Sequence, residues 1–211
     1  SKVTTINKGH DVLWYANVQP LNVHNNLKID SEALLVVCVA NNRRMKGINY
    51  LLQAMERIPY DLPIHLIMVG KDLNHPRNLK NIDQKLINER VHFLGFRNDV
   101  LEVVAGCDVF VLPSIRGEAI TKALVEAMSL EVTPIITNIA GNDGMVDSGK
   151  SGIVVPIKDP DSIKESILTL YRDPARRKSM GKQARLQIKN KFNSEQTIKE
   201  MKYFYEQLVS N

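Results

Sequence analysis

Cysteine is scarce in this chain. Only Cys38 and Cys107 occur in 211 residues, each within an apolar run (VVCVA and AGCDVFV). Such a pair excludes a disulfide framework and reads as two buried thiols of a reducing compartment. Long hydrophobic runs are also missing: nothing approaches the ~20 apolar residues that cross a bilayer. The opening SKVTTINKGHD lacks the apolar centre of a signal peptide, and no N-x-S/T sequon occurs. These absences together point to a cytoplasmic protein. Histidines 10, 24, 65, 75 and 92 fall on separate segments without ligand spacing, so no metal is expected. No G-x-G-x-x-G occurs, which removes the ordinary dinucleotide fingerprint.

What is present is ordinary for a folded domain: 44% hydrophobic and 24% charged residues, enough for one well-buried unit. The net charge is +5 and the isoelectric point near 9.1. Much of the basic excess lies in RDPARRKSMGKQARLQIKNK (172–191). On a helix these charges make a solvated face, a membrane-surface or inter-domain face, or a nucleic-acid face. Aromatics that could stack on bases are few there, and no nucleic-acid partner is expected.

Along the chain, apolar runs recur with helical stretches between them. ALLVVCVA (33–40), IHLIMVG (64–70), VHFLG (91–95), DVFVLP (108–113), VTPIIT (132–137) and GIVVP (152–156) are short and continuous rather than alternating. That is the signature of strands covered on both faces. Helices are expected at 48–58, 78–90 and 98–106, and after 117. Strand–helix alternation implies right-handed crossovers and a parallel sheet, so the fold class is α/β, a single Rossmann-like sheet sandwiched by helices. Asp159-Pro160 and Asp173-Pro174 read as helix starts, and Ser194 as the cap of a last helix whose Ile198, Met201, Tyr205 and Leu208 form one stripe. Residues 1–30 carry no long periodic run and are rich in Asn; the expected boundary is a connecting segment over 1–30 and a domain over 31–211.

The segment richest in chemistry is RGEAITKALVEAMSL, directly after DVFVLPS (108–114). Glu118 stands at the start of a helix, and Glu126 follows after seven intervening residues. A strand–turn–helix of this kind in a parallel sheet aims its junction at the ligand-binding edge. Free N–H groups there suit phosphate or sugar oxygens. The plainer reading is that Glu118 complements the helix dipole and Glu126 is solvated.

The order P-S, two residues, G-E, seven residues, E-A-M resembles the E-x7-E signature of the retaining glycosyltransferases of family 4, which have the GT-B fold. MKGINYLLQAM (45–55), VHFLGF (91–96) and SGKSGIVVPIKDPDSIKESI (148–167) continue the resemblance in register over roughly residues 34–209. It implies the C-terminal, donor-binding half of such an enzyme. The donor would be a nucleoside-diphosphate sugar of UDP or GDP type, bound as substrate, with no cofactor. Implied partners are an acceptor saccharide or glycolipid, a preceding N-terminal Rossmann-like domain, and peripheral contact with the inner face of the membrane. NKGHD followed by WY resembles the connection between the two domains, and the last helix is expected to cross back onto the first.

The resemblance also implies roles. Lys46 would face the departing pyrophosphate, and Glu126 the ribose hydroxyls. Glu118 would face the sugar ring, with the amides of Ala119, Ile120 and Thr121 on sugar or phosphate oxygens. The base would sit near Phe93, Leu94 and Gly95. Two departures stand out. The family's G-R before the phosphate lysine is Ala40-Asn41 here, leaving Arg43 or Arg44 to reach in from the loop, and Gly144 stands where a carboxylate is common.

Two patterns compete for notice. GMVDSGKS (144–151) matches G-x4-G-K-S literally, yet GIVVP after it reads as a strand, where a P-loop requires a helix. Asp159-Pro160-Asp161 matches a D-x-D metal motif, but reads as a helix cap.

Overall fold

The computed structural model describes residues 9, 12–117, 121–139 and 144–209. Six strands form one sheet: β1 (Leu34–Val39), β2 (Ile64–Val69), β3 (Val91–Gly95), β4 (Val109–Leu112), β5 (Thr133–Thr137) and β6 (Ile153–Val155). All pair in parallel, in the order β3-β2-β1-β4-β5-β6. The chain therefore winds outward from β1 in one direction and, from β4, in the other. The order reverses between β1 and β4, where a doubly wound sheet opens a crevice at its carboxyl edge.

Helices α1 (Val12–Tyr15), α2 (Val23–Leu27), α3 (Ile48–Glu56), α4 (Pro76–Leu79), α5 (Gln84–Arg90) and α6 (Val100–Ala105) come from the first part of the chain. They are followed by α7 (Lys122–Ser129), α8 (Pro160–Arg172), α9 (Pro174–Lys191) and α10 (Ser194–Val209). Successive strand residues point to opposite faces, and here both faces are covered. Leu34, Val36, Cys38, Leu66 and Met68 pack with α3, α5 and α8. Leu35, Val37, Ile67, Val69 and Phe110 pack with α6, α7 and α9. This double cover is why the strands read as unbroken apolar runs. Cys38 and Cys107 are free and buried. Burial pushes the Cys38 thiol up to about 12, against the opposing pull of Lys46, and leaves it unreactive.

Two expected features differ. The helix expected over 78–90 is broken into α4 and α5. The Nδ1 of His75 accepts from the Arg77 N–H ahead of Pro76, Asn81 then takes a positive φ of 63°, and Asp83 caps α5 by accepting from the Lys85 N–H at 2.8 Å. Local side-chain caps and a left-handed residue thus outcompete a continuous helix. At the other end, Ser194 is already the first residue of α10. The capping oxygen is that of Asn193, which accepts from the Glu195 N–H at 2.9 Å. The caps at Asp159 and Asp173 are as expected, accepting from Ser162 N–H and Arg176 N–H.

Two glycines hold the layers at their observed spacing. A Cβ on Gly47, which has φ +64°, would lie 2.0 Å from the Pro113 carbonyl oxygen, and one on Gly181 would lie 1.9 Å from that of Glu131. The first contact draws the β1–α3 loop against the end of β4; the second seats α9 against the turn that ends α7.

Candidate functional site

The carboxyl ends of β1 and β4 frame the crevice. After β1 the chain runs through Asn41, Arg43 and a short 3-10 turn, Arg44–Lys46, before Gly47 opens α3. The Ile115 N–H donates to the Met45 carbonyl at 2.8 Å, stitching this loop to the one after β4. Lys46 is thereby held half-buried in the loop that leaves the carboxyl end of β1. Asn41, Arg43 and Arg44 are exposed around it. The neighbouring β2 end is drawn in by Gly70, whose Cβ would meet the Ala40 carbonyl oxygen at 1.7 Å. Gly70 N–H in turn donates to the Gly95 carbonyl at 2.8 Å, so the third-strand end joins the same edge. Gly95 is exposed, with a φ of 65°, and Phe96 beside it is 76% exposed.

On the far side of the crevice stands α7. Thr121 is its N-cap residue. Glu118, Ala119 and Ile120 lie outside the described residues. Leu124 to Ser129 are all buried, because α6 and α9 flank the helix while β4 and β5 lie beneath it. Glu126 is among them, with 8% of its surface exposed. A carboxylate in such company requires a partner. It has one in Lys122, one helical turn earlier, whose Nζ lies 3.1 Å from Glu126 Oε1 while its own side chain is 77% exposed. The hydrogen bond to Glu126 raises the Lys122 ammonium above its usual lysine value. Lys122 was not among the sequence-derived residues, although its i, i+4 spacing from Glu126 is a readable signal.

Ser114, at the end of β4, is fully buried, and its hydroxyl has no hydrogen-bond partner among the described residues. The Thr137 hydroxyl on β5 donates to the Ser114 carbonyl at 2.5 Å, fixing that backbone. The elements that frame the crevice thus carry a half-buried lysine and exposed arginines on the β1 loop, a buried carboxylate on α7, and a buried hydroxyl after β4. This set can hold an anion on one side and accept hydroxyl protons on the other.

The residues matching G-x4-G-K-S are otherwise occupied. Lys150 and Ser151 N–H donate to the Asp147 carbonyl, Gly149 N–H to Gly152, and Ser151 Oγ reaches Gln187 Oε1 at 2.6 Å. A turn whose amides close on itself, followed by β6, offers no phosphate cradle. Asp161 sits on the outside of α8 against Arg57 at 2.6 Å, away from the crevice.

A family model described as glycosyl transferases group 1 matches residues 21–187. The chain belongs to that family. Among curated relatives, the N-acetyl-alpha-D-glucosaminyl L-malate synthase of Bacillus anthracis is 27% identical over 176 residues, covering 83% of this chain and 46% of the relative. Among solved structures, a glycosyltransferase from Rickettsia africae superposes with a TM-score of 0.86 at 18% identity, over 100% of this chain and 58% of that one. Anabaena HepE, solved in complex with UDP, gives 0.84 at 20% identity, over 99% and 57%. The chain spans about half the length of the curated relatives it matches. As a group 1 glycosyltransferase chain, it carries the Rossmann-like unit with its helical C-terminus, the half expected from the resemblance. Among the described residues, no helix is long and apolar enough to cross a membrane.

Proposed function

We propose that this chain is the donor-binding domain of a retaining, metal-independent glycosyltransferase. It would take a sugar from a UDP or GDP donor to a saccharide or glycolipid acceptor held mainly by an N-terminal Rossmann-like domain outside these residues. The observation that carries this reading is Glu126: a carboxylate buried on α7, the helix that follows β4 at the switch point of a doubly wound sheet, while the β1 loop across that point is cationic. An accepting carboxylate suits the paired hydroxyls of a ribose. Lys46, with Arg43 and Arg44 on the rim, suits the negative charge that grows on a departing nucleoside diphosphate, a task otherwise given to a divalent cation. The UDP in the Anabaena structure supports a nucleotide in a fold of this kind.

The chemistry then divides simply. Glu126 holds the nucleoside so that the diphosphate lies along the β1 loop. The Lys46 ammonium draws charge from the breaking sugar–phosphate bond. Glu118 and the amides of Ala119, Ile120 and Thr121 are assigned to the sugar. The acceptor attacks only when a second domain closes over the crevice and orders both reactants. The 211 residues alone therefore bind nucleotide and transfer little or no sugar, and transfer takes place at the inner face of the membrane or in the cytoplasm. A second reading, a non-catalytic nucleotide-binding module, draws on one observation: the exposed Asn41 stands where the family's arginine would reach the phosphates.

Calorimetric titration of UDP and GDP, with and without EDTA, into the chain and its Glu126→Ala variant tests this. Expected are binding of one nucleotide that survives EDTA and a loss of about 5- to 150-fold in the variant, the equivalent of about 1–3 kcal/mol. Equal affinity in the two proteins would overturn the role of Glu126. Restoration of transfer by co-expressed N-terminal domain separates the enzyme from the non-catalytic module.

A further inference from the structure

A second cavity opens on the carboxyl edge, on the α3 side of the sheet rather than the α7 side. Its volume is about 430 Å³, and Arg43, Arg44, Tyr50, Gln53, Arg77 and Lys80 are among its lining residues. Four of these are cations drawn from two separate loops, and no carboxylate lines the cavity. Among the described residues none of the four makes an ion pair. Four like charges around one cavity repel each other, and a sequence with 23 acidic residues had the means to pair them.

Arg77 is also held in place. Its Nη2 donates to both the carbonyl oxygen and the Oδ1 of Asn42, the former at 3.1 Å. The same Asn42 Oδ1 accepts from Asn78 Nδ2 at 3.1 Å, and Asn78, which is 7% exposed, is itself anchored on the Leu73 carbonyl at 2.9 Å. A buried amide thus orients the guanidinium through Asn42 and leaves its Nη1 and Nε edges unengaged among the described residues. A preorganised guanidinium with flanking cations is the arrangement that recognises phosphate. Tyr50 and Gln53 add hydroxyl and amide groups beside it.

We propose that this cavity is a second anion site, taking a phosphate or diphosphate group that is not the donor's own, the group by which a phosphorylated acceptor would be held next to the reacting sugar. It rests on the reading of the β1–β4 crevice as the donor site, since that reading leaves Arg77 and Lys80 without a ligand. The two sites share the Arg43–Arg44 rim. α3 and α7 belong to opposite layers of the sheet, so Arg77 and Lys80 lie across the sheet from Glu126.

Inorganic pyrophosphate is the probe. It is titrated into the 211-residue chain, free and saturated with the nucleotide that binds, and into Arg77→Gln/Lys80→Gln and Lys80→Gln variants whose thermal melts match the parent. Expected are a pyrophosphate site that persists under saturating nucleotide, a loss of tenfold or more in the double variant with a smaller loss in the single one, and nucleotide affinity unchanged within about twofold. Pyrophosphate binding that nucleotide abolishes, or that survives the double substitution in the nucleotide-saturated chain, overturns the proposal. If no nucleotide binds, the donor reading fails on its own, while the variants still decide the fate of the cavity. Parallel titrations with glucose 6-phosphate and with phosphatidic-acid vesicles distinguish a soluble phosphate ester from a lipid-borne one; failure of both to lose affinity in the double variant counts against an acceptor role.

Discussion

The two edges of the sheet carry similar residues and treat them in opposite ways. At the amino edge, Arg90 is 4% exposed and donates to the carbonyls of Ile58, Pro59 and Leu62, at 3.2, 2.6 and 2.8 Å. Asp108 accepts from the Leu35 N–H at 2.9 Å and pairs with Arg177 at 3.1 Å. His65 Nδ1 lies 3.1 Å from His92 Nε2. At the carboxyl edge, Arg43, Arg44 and Lys80 have no acidic partner among the described residues. Polar groups that serve the fold are satisfied by the fold. Groups left unsatisfied together at the switch point are the ones that await something from outside.

The largest expected effect comes from breaking the satisfied edge. Arg90→Ala strands three carbonyls and removes a guanidinium lying over the Tyr60 ring, and should cost about 2–4 kcal/mol in urea unfolding. A loss below about 1 kcal/mol would mean that this edge is less dependent on its bonds than the geometry states.

Next is the pH dependence of the histidine pair. Burial first, then the neighbouring His92, Arg90 and His24 charges, lower His65 to about 4, and burial lowers His92 as well. Both folded values lie below the unfolded one, so the unfolded chain binds protons first. Stability is complete above about pH 6.5 and falls as pH drops toward 4. Across that window His65 contributes on the order of 1 kcal/mol after discount for solvent screening. His65→Gln should flatten the fall in melting temperature between those pH values, and an unaltered slope would remove His65 from the account.

At the open edge the same kind of substitution should do almost nothing to the fold, or stabilise it. Arg44→Gln relieves like-charge repulsion and should change unfolding free energy by no more than about 0.5 kcal/mol, with either no change or a gain. A clear destabilisation would place Arg44 with the structural cations. The smallest effect is expected on α10, where Ile198 and Tyr205 are 65% and 59% exposed. Ile198→Ser with Tyr205→Ser should leave the melting temperature of this chain within about 2 °C, since neither side chain covers its core. A larger drop would show that the stripe packs on this chain in solution.

Much of this was legible in the residues. Strand positions followed from continuous apolar runs, since only a sheet covered on both sides hides Val36 and Val37 alike. Asp159 and Asp173 announced their helices because a cap is a contact between near neighbours. The continuous helix expected over 78–90 is broken for the same kind of local reason: Asn81 and Asp83 form turn and cap contacts that periodicity does not weigh. The Lys122–Glu126 pair is equally local, an i, i+4 contact on one helix.

Local chemistry in the sequence therefore determined the strands, most helix starts, the absence of a helix able to cross a membrane among the described residues, and the E-x7-E spacing that marked α7. Only the tertiary structure decided that Glu126 is buried, that α10 leaves its stripe uncovered, and that Arg77 and Lys80 stand with Arg43 and Arg44 around one cavity. Hydrogen bonds within a turn or a helix join residues a few positions apart, and so leave a trace in spacing. Burial and cavities depend on which distant segments a sheet order of 3-2-1-4-5-6 brings together, and no spacing along the chain records that.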